Sequence, residues 1–371
     1  MTAPQKPIAL ALSGGGIRAM VFHLGVLKHL AKRGLLESVE KLSTVSGGSL
    51  LVGLMLQHNA MRWPTSEQFL SETLPSMRKA LCTRSLQWGS ARQLLNPGNW
   101  RFLLSRANLL ALALESEWHV QGVLSDLPET PEWSINGTAA ESGKRFRFKR
   151  KDIGDYTLGY APAATFPLSN ALAVSAAFPG GFGPLNLNTR RFEWRKRPWG
   201  APADSAQAIQ QDSKHLHLYD GGVYDNIGLE PFFDVGRQKT KVAGYYIVCS
   251  DAGALLAPGF NMGPLNVFRL KRVADIMSDQ SRSLRVRAFA NYIQSTPLAG
   301  AYLNIGGLMS SQLTGFDARF SASFPTTLRR LDTDEFDRIA NHGLNVADYV
   351  RQEFGFCDEN EPQQTNPIPR H

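Results

Sequence analysis

The chain has 371 residues, 43% of them hydrophobic, and a formal net charge of +8. That supplies a real core for one large domain and excludes collagen-like, coiled-coil and globally disordered chains. Three scattered cysteines, Cys82, Cys249 and Cys357, are too few for a disulfide framework or a zinc site and suit a reducing, cytoplasmic setting.

The first apolar run, Ile8 to Leu12, ends at Ser13 and three glycines. It is too short for a signal peptide, and no uncharged apolar stretch reaches the roughly 18 residues that span a bilayer. The run reads as a buried strand, and residues 17–33 as a helix with Met20, Val21, Leu24, Leu27 and Leu30 near helical spacing and a stop at Gly34. "KLSTVS" is a second strand that runs into the apolar helix "GGSLLVGLMLQH". Strand, helix, strand, helix with short connections is the pattern of a parallel α/β sheet.

Residues 61–130 are helical in propensity, broken at Pro97 and Gly98, and amphipathic. They read as an insertion packed on the core or as a cap that touches lipid. Strands return with "EWSINGTAA" and "KRFRFKR", followed by the helix "FPLSNALAVSAAF", a loop to 214, the strand "HLHLYDGG" and the apolar strand within "VAGYYIVCSDA". Residues 265–350 read as mostly helical. The polar, Pro-containing segment 357–371 reads as a flexible tail after a single domain over 1–356.

Two clusters, "KRFRFKRK" (144–151) and "RRFEWRKRPW" (190–199), interleave basic and aromatic residues. Such clusters suit anionic lipid or nucleic acid, although the period-two alternation of the first equally suits a solvated strand.

Three stretches carry chemistry, and each ends or follows a predicted strand, where sites form in open α/β sheets. Gly14-Gly15-Gly16 opens a helix, so its backbone N–H groups offer either a phosphate site or an oxyanion hole. The dinucleotide fingerprint also needs an acid at the end of the second strand, and Ser46 stands there instead. In Thr44-Val45-Ser46-Gly47-Gly48 the serine sits where a strand turns into a helix. That is the setting of a nucleophile elbow, with Thr44 and Gly48 flanking it, or of an ordinary N-cap. Asp220-Gly221-Gly222 ends a strand with a carboxylate that could be a general base or a plain Asp-Gly turn.

The ordered set "SGGGIRAMVFHLGVLKHL", "TVSGGS" and "YDGGVYDN" resembles the patatin-like phospholipase family, related to the cytosolic phospholipase A2 catalytic domain. The segments "INGTAAESGKRFRF", "ALAVSAAFPGGFGPL" and "FPTTLRRLDTDEFDRIANHG" support it. The resemblance implies a three-layer α/β/α sandwich with a mainly parallel sheet and a Ser46–Asp220 dyad without histidine. It further implies an oxyanion hole from Gly14, Gly15 and Gly16, loop support from Thr44, Gly48, Gly221 and Gly222, and a lipid-phosphate contact at Arg18. It implies a lipid acyl hydrolase needing no metal or cofactor, acting on phospholipid or lysophospholipid at an anionic membrane surface, with no nucleic acid partner. An effector activated by an unknown ligand, and a catalytically silent nucleotide- or membrane-binding protein, are the alternatives.

The histidines offer one rival. Ser46, Asp220 and His342 follow the chain order of an α/β-hydrolase triad, but His342 lies in the predicted helix "EFDRIANHG" beside its stop at Gly343, where a capping or surface role is expected. His215 and His217 share one strand face without further metal ligands.

Overall fold

The computed structural model describes residues 6–355 apart from 104, 179–181, 199, 257–258, 261–267 and 312–314. The flexible tail expected after 357, with Cys357, lies outside the described residues.

The N-terminal unit runs β1 (Ile8–Leu12), α1 (Gly16–Lys32), β2 (Val39–Val45) and α2 (Gly47–His58). The 61–130 segment holds α3 (Ser66–Gln68), α4 (Leu74–Thr83), α5 (Leu86–Arg92) and α6 (Ala107–Trp118). After it come β3 (Glu132–Ala139), β4 (Lys144–Phe148), β5 (Asp152–Asp155), β6 (Gly159–Pro162), α7 (Leu168–Ser175), β7 (Leu185–Asn188), β8 (Arg195–Lys196) and β9 (Gln207–Ala208). Then follow β10 (His215–Asp220), α8 (Gly222–Asp225), β11 (Phe233–Asp234), β12 (Lys239–Thr240) and β13 (Tyr246–Asp251). The last are α9 (Phe268–Ser295), β14 (Gly300–Asn304), α10 (Gly315–Ser323) and α11 (Thr333–Phe354).

Among the described residues one 12-stranded sheet runs β14-β13-β1-β2-β3-β4-β5-β6-β8-β9, with β10 paired to β3 and β7. The five strands from β14 to β3 are parallel, and the meander β3-β4-β5-β6 is antiparallel. The sheet is therefore mixed, with a parallel centre. Side chains of β1 alternate between two cores, as the period of a strand requires. Ile8, Leu10 and Leu12 join Phe22, Leu24 and Leu27 in the large core. Ala9 and Ala11 join Ile247, Cys249 and Phe289 of α9 in the smaller one. Helices thus cover both faces, the three-layer arrangement expected.

One contact sets how closely the helices of the large core approach. A Cβ on Gly25 of α1 would fall 2.0 Å from Ala340 O, and one on Gly343 of α11 would fall 2.1 Å from Phe22 O. Gly343 is therefore a helix-contact residue in the middle of α11. The helix passes through it, and the stop expected there is absent.

Two further expectations are refined, and the strand reading of the 144–151 cluster holds. Residues 265–350 contain β14, a strand whose parallel pairing to β13 overrides a short stretch of weak helical pattern. The loop to 214 carries β7, β8 and β9. The 144–151 cluster is an interior strand: Phe146 and Phe148 are fully buried, Arg147 pairs with Asp152 at 3.1 Å, and Lys149 pairs with Glu132. In the 190–199 cluster Trp194 is buried and donates to Thr189 O at 2.9 Å.

Gly25→Ala should lower stability by at least about 2 kcal/mol, because main-chain atoms of a second helix cannot yield cheaply to an added methyl. Urea denaturation with unchanged far-UV circular dichroism would show it.

Candidate active site

Registry at β3 brings the two chemical strands together. β2 runs parallel to β3 and ends with Val45 opposite Asn136. β10 runs antiparallel to β3 and ends with Asp220 opposite Gly137. The C-terminal ends of β2 and β10 therefore meet beside adjacent residues of β3, and the residues that follow, Ser46 and Gly221, become neighbours.

Ser46 has φ 49 and ψ −117, a backbone geometry that non-glycine residues avoid and that stores about 1–3 kcal/mol. It occupies the N-cap position of α2, yet its side chain makes no capping hydrogen bond. The hydroxyl is thus left for another partner, as in an elbow and unlike an ordinary cap. The group it acts on is Asp220, whose carboxyl the Ser46 hydroxyl helps to hold down.

Asp220 is 3% exposed. Burial pushes its carboxyl up to about 7, against the pull of the Gly222 N–H and the Ser46 hydroxyl. The Gly222 N–H donates to Asp220 Oδ1 at 2.7 Å, and Thr138 Oγ1 donates to the Asp220 main-chain carbonyl at 2.9 Å.

A residue that sequence reading overlooked ties the two loops. Ser175, at the end of α7, accepts the Ser46 N–H on its carbonyl at 3.1 Å and on Oγ at 3.0 Å. The same carbonyl faces the Gly221 N–H at 3.4 Å. Its hydroxyl donates to Asn136 O at 2.7 Å and meets Ser49 Oγ at 2.8 Å. Ser49 in turn bonds Thr44 Oγ1 at 2.7 Å, which accepts from Trp133 Nε1 at 2.8 Å. This buried chain explains why threonine fits at position 44: its side chain turns away from the elbow and into the network. Asn136 adds Nδ2–H bonds to Thr44 O at 2.9 Å and Ser43 Oγ at 3.0 Å. The only sequence hint of these roles was polarity in strands and helices that otherwise read as core.

The glycine loop lies against the elbow. A Cβ on Gly14 would stand 3.1 Å from Ser46 Cβ, and one on Gly47 would stand 2.3 Å from Gly16 O. Gly15 and Gly16, at φ 141 and 63, need glycine to hold this turn. Gly14 is a correction to the expected oxyanion set, since its N–H is spent on Asn226 O at 2.9 Å. Gly15 and Gly16 N–H groups, and that of Gly47 after the serine, have no protein acceptor among the described residues. Gly48 donates to Ser13 O at 3.2 Å and belongs to the frame.

Ser13 and His23 fix the loop from behind. The Ser13 hydroxyl accepts from Ala252 N at 2.7 Å and reaches Gly14 O at 3.1 Å. His23 is fully buried, held down at about 4 by burial and so neutral. It bridges Ser250 Oγ at 2.8 Å and Ser13 O at 3.1 Å.

Arg18 is the second correction. It is 1% exposed, with Nε donating to Ala252 O at 3.2 Å, Nη1 to Phe324 O and Nη2 to Thr326 Oγ1 at 3.4 Å. Burial lowers it to about 10, so it stays charged. It clamps the segments around the glycine loop and does not face a head group.

His342 is likewise buried rather than capping or superficial. Nε2–H donates to Ile305 O at 2.7 Å, and its ring lies 5.6 Å from that of Phe22. It sits in the α1–α11 interface, which removes the triad. His217 pairs with Glu141 at 2.7 Å, and no group of three metal-ligating side chains occurs among the described residues.

The site thus holds a strained serine on a strand-to-helix turn, a buried carboxyl and backbone amides with no protein acceptor among the described residues. The profile of the patatin-like phospholipase family matches residues 10–233, more than half of the chain, and the chain belongs to that family of lipid hydrolases. No curated protein matches it. Among solved structures, human GIVD cytosolic phospholipase A2 is similar with a TM-score of 0.56 at 14% identity, over 94% of this chain and 59% of that one. The same human enzyme in complex with methyl gamma-linolenyl fluorophosphonate gives 0.51 at 16% identity, over 94% and 58%. The chain thus spans less than two thirds of these structures, and the likeness is one of fold.

Asp220→Asn should stabilise the protein at pH 8. A carboxyl held near 7 in the folded state, against about 3.9 unfolded, favours folding only when protonated. That contribution is complete below the unfolded value and is lost as pH rises through 7, to an extent of up to about 4 kcal/mol. Thermal midpoints of the two proteins should converge at pH 4 and separate at pH 8.

Proposed function

We propose that the chain hydrolyses ester-linked fatty acyl chains of phospholipid or lysophospholipid, with Ser46 as nucleophile and Asp220 as its base. The observation that carries this reading is the registry on β3 that sets Ser46 beside the strand end bearing Asp220, a buried carboxyl raised to about 7. An ordinary exposed aspartate is too weak a base to draw a proton from serine near neutral pH. One poised near 7 is matched to the task.

In the proposed reaction Ser46 Oγ attacks the ester carbonyl carbon while its proton passes to Asp220. The carbonyl oxygen becomes an oxyanion, stabilised by the unpartnered N–H groups of Gly15, Gly16 and Gly47. Loss of one such donor costs about 3 kcal/mol in related chemistry. Collapse breaks the ester C–O bond, and the leaving alkoxide takes the proton from Asp220. Water then attacks the acyl-serine, gives its proton to Asp220, and the fatty acid departs as Ser46 regains that proton. None of these steps calls on a histidine.

Apolar side chains near the site support a lipid substrate. Phe178 is 50% exposed and Val223 55%; Asp220 N–H bonds Ala177 O at 3.2 Å, so both residues flank the base. Trp88, Leu95, Trp100 and Leu103 are exposed in the 61–130 segment, in keeping with a cap that meets lipid. No helix among the described residues is long and apolar enough to cross a membrane.

Free fatty acid release from mixed anionic and zwitterionic liposomes tests the proposal. Ser46→Ala and Asp220→Asn should each lower the rate by at least about a thousandfold. Ser175→Ala should lower kcat roughly tenfold with little change in KM, since it loosens the link between nucleophile and base. Full activity in Ser46→Ala would refute the dyad.

A further inference from the structure

The sequence placed lipid contact in the 61–130 segment and in two basic-aromatic clusters, but the first cluster is ion-paired within the sheet and the second turns Trp194 inward. A different surface is left open. On α9, Leu270 is 78% exposed, Val273 53%, Met277 68% and Leu284 58%. Residues 270, 277 and 284 are seven apart with 273 between them, so all four lie along one stripe of the helix. Ile276, 40% exposed, widens it.

Leaving such a stripe in water is costly, and it implies a cover. Three observations bear on what the cover is. First, the stripe is flanked by charge of one prevailing sign: Lys271 is paired with Asp275 at 2.6 Å, and Arg269, Arg272 and Arg287 outnumber the remaining Asp279 on the same stretch. Second, further exposed apolar side chains stand beside the helix: Phe260, 55% exposed, lies under Arg269 at 5.8 Å, and Val223, 55% exposed and three residues after Asp220, lines a cleft with Ser278 and Ser281 of α9. Third, α9 is fastened to the site by its other face. Arg282 Nε donates to Asp251 Oδ2 at 2.7 Å. Arg285 donates to Glu230 at 3.1 Å and to Tyr224 O at 3.2 Å, next to the loop that carries Asp220. Phe289 is fully buried in the smaller core.

A second copy of this chain would suit the seven-residue spacing, but it would explain neither the basic flank nor the exposed apolar side chains of Phe260 and Val223 beside the helix. We propose that the outer face of α9 docks on an anionic phospholipid bilayer, its apolar stripe in the acyl boundary and its flanking arginines at the phosphates. The proposal rests on the lipid-hydrolase reading above, and it assigns to this helix the surface recognition that such a reaction needs. Amphipathic faces with a basic border bind membranes in this way.

The test separates docking from chemistry. The full chain carrying Ser46→Ala is sedimented with vesicles of pure phosphatidylcholine and of equimolar phosphatidylcholine and phosphatidylglycerol. The same is done with Leu270→Glu/Met277→Glu and with Leu95→Glu/Trp100→Glu added to it. These positions are exposed, and unchanged circular dichroism and thermal midpoint verify the fold. The proposal expects binding to the anionic vesicles that falls at least about tenfold in the α9 variant, whatever the insertion variant does. Unchanged binding by the α9 variant would overturn it, as would equal binding to pure phosphatidylcholine or no binding by the Ser46→Ala parent. Sedimentation velocity supplies the remaining outcome: a dimer that the α9 variant dissociates, with vesicle binding intact, would assign the stripe to a second copy instead. Failure of ester hydrolysis would leave these binding results standing.

Discussion

One carbonyl, that of Ser175, receives the N–H of Ser46 at 3.1 Å and faces the N–H of Gly221 at 3.4 Å, and the separation of Ser46 and Asp220 depends on it. Strand pairing places the ends of β2 and β10 in the same region, but pairing alone fixes positions only to the spacing of a ladder. The tie to α7 narrows that to the scale of a hydrogen bond. Because Ser175 Oγ is also bonded to Asn136 O, the tie is anchored in β3, the strand to which both others are registered.

The arrangement is costly, and the fold shows where the cost is carried. Ser46 holds a strained backbone, and Asp220 holds a carboxyl in a site that disfavours its charge. Neither would persist in a loosely packed protein. Around them Ile8, Leu10, Leu12, Leu50 and Val45 are fully buried, and the hydroxyls of Thr44, Ser49 and Ser175 satisfy one another. Even the cations are arranged for shape. Arg18 and Arg282 sit within electrostatic range of Asp251, and burial, which alone would raise Asp251, is outweighed chiefly by Arg282.

The parts of this protein legible in its sequence are those where local chemistry and global fold agree. Residues 8–58 show strand, glycine turn and helix twice over, and the structure follows within a residue or two. Ser46 and Asp220 were visible because each stands at a strand end beside glycines. Hidden were the features that depend on what lies across the sheet. Ser175 reads as one more small residue in an apolar helix, and β14 is a strand only because β13 is beside it. Arg18 was misplaced for the same reason: an arginine after a glycine loop suggests an anion, while its true partners lie more than 200 residues away at Ala252, Phe324 and Thr326. His342 and Gly343 read as a helix end, although the helix continues and Gly343 is there because α1 packs too closely at Phe22 and Gly25 for a side chain.

The most direct measurement is the pH dependence of covalent labelling by a long-chain fluorophosphonate, with the modified residue located by mass spectrometry. A serine activated by a carboxylate near 7 predicts one adduct, on Ser46, forming at a rate that rises with pH and levels off above about 8. An adduct on another residue, or a Ser46 labelling rate that does not change between pH 5 and pH 8, would contradict the account.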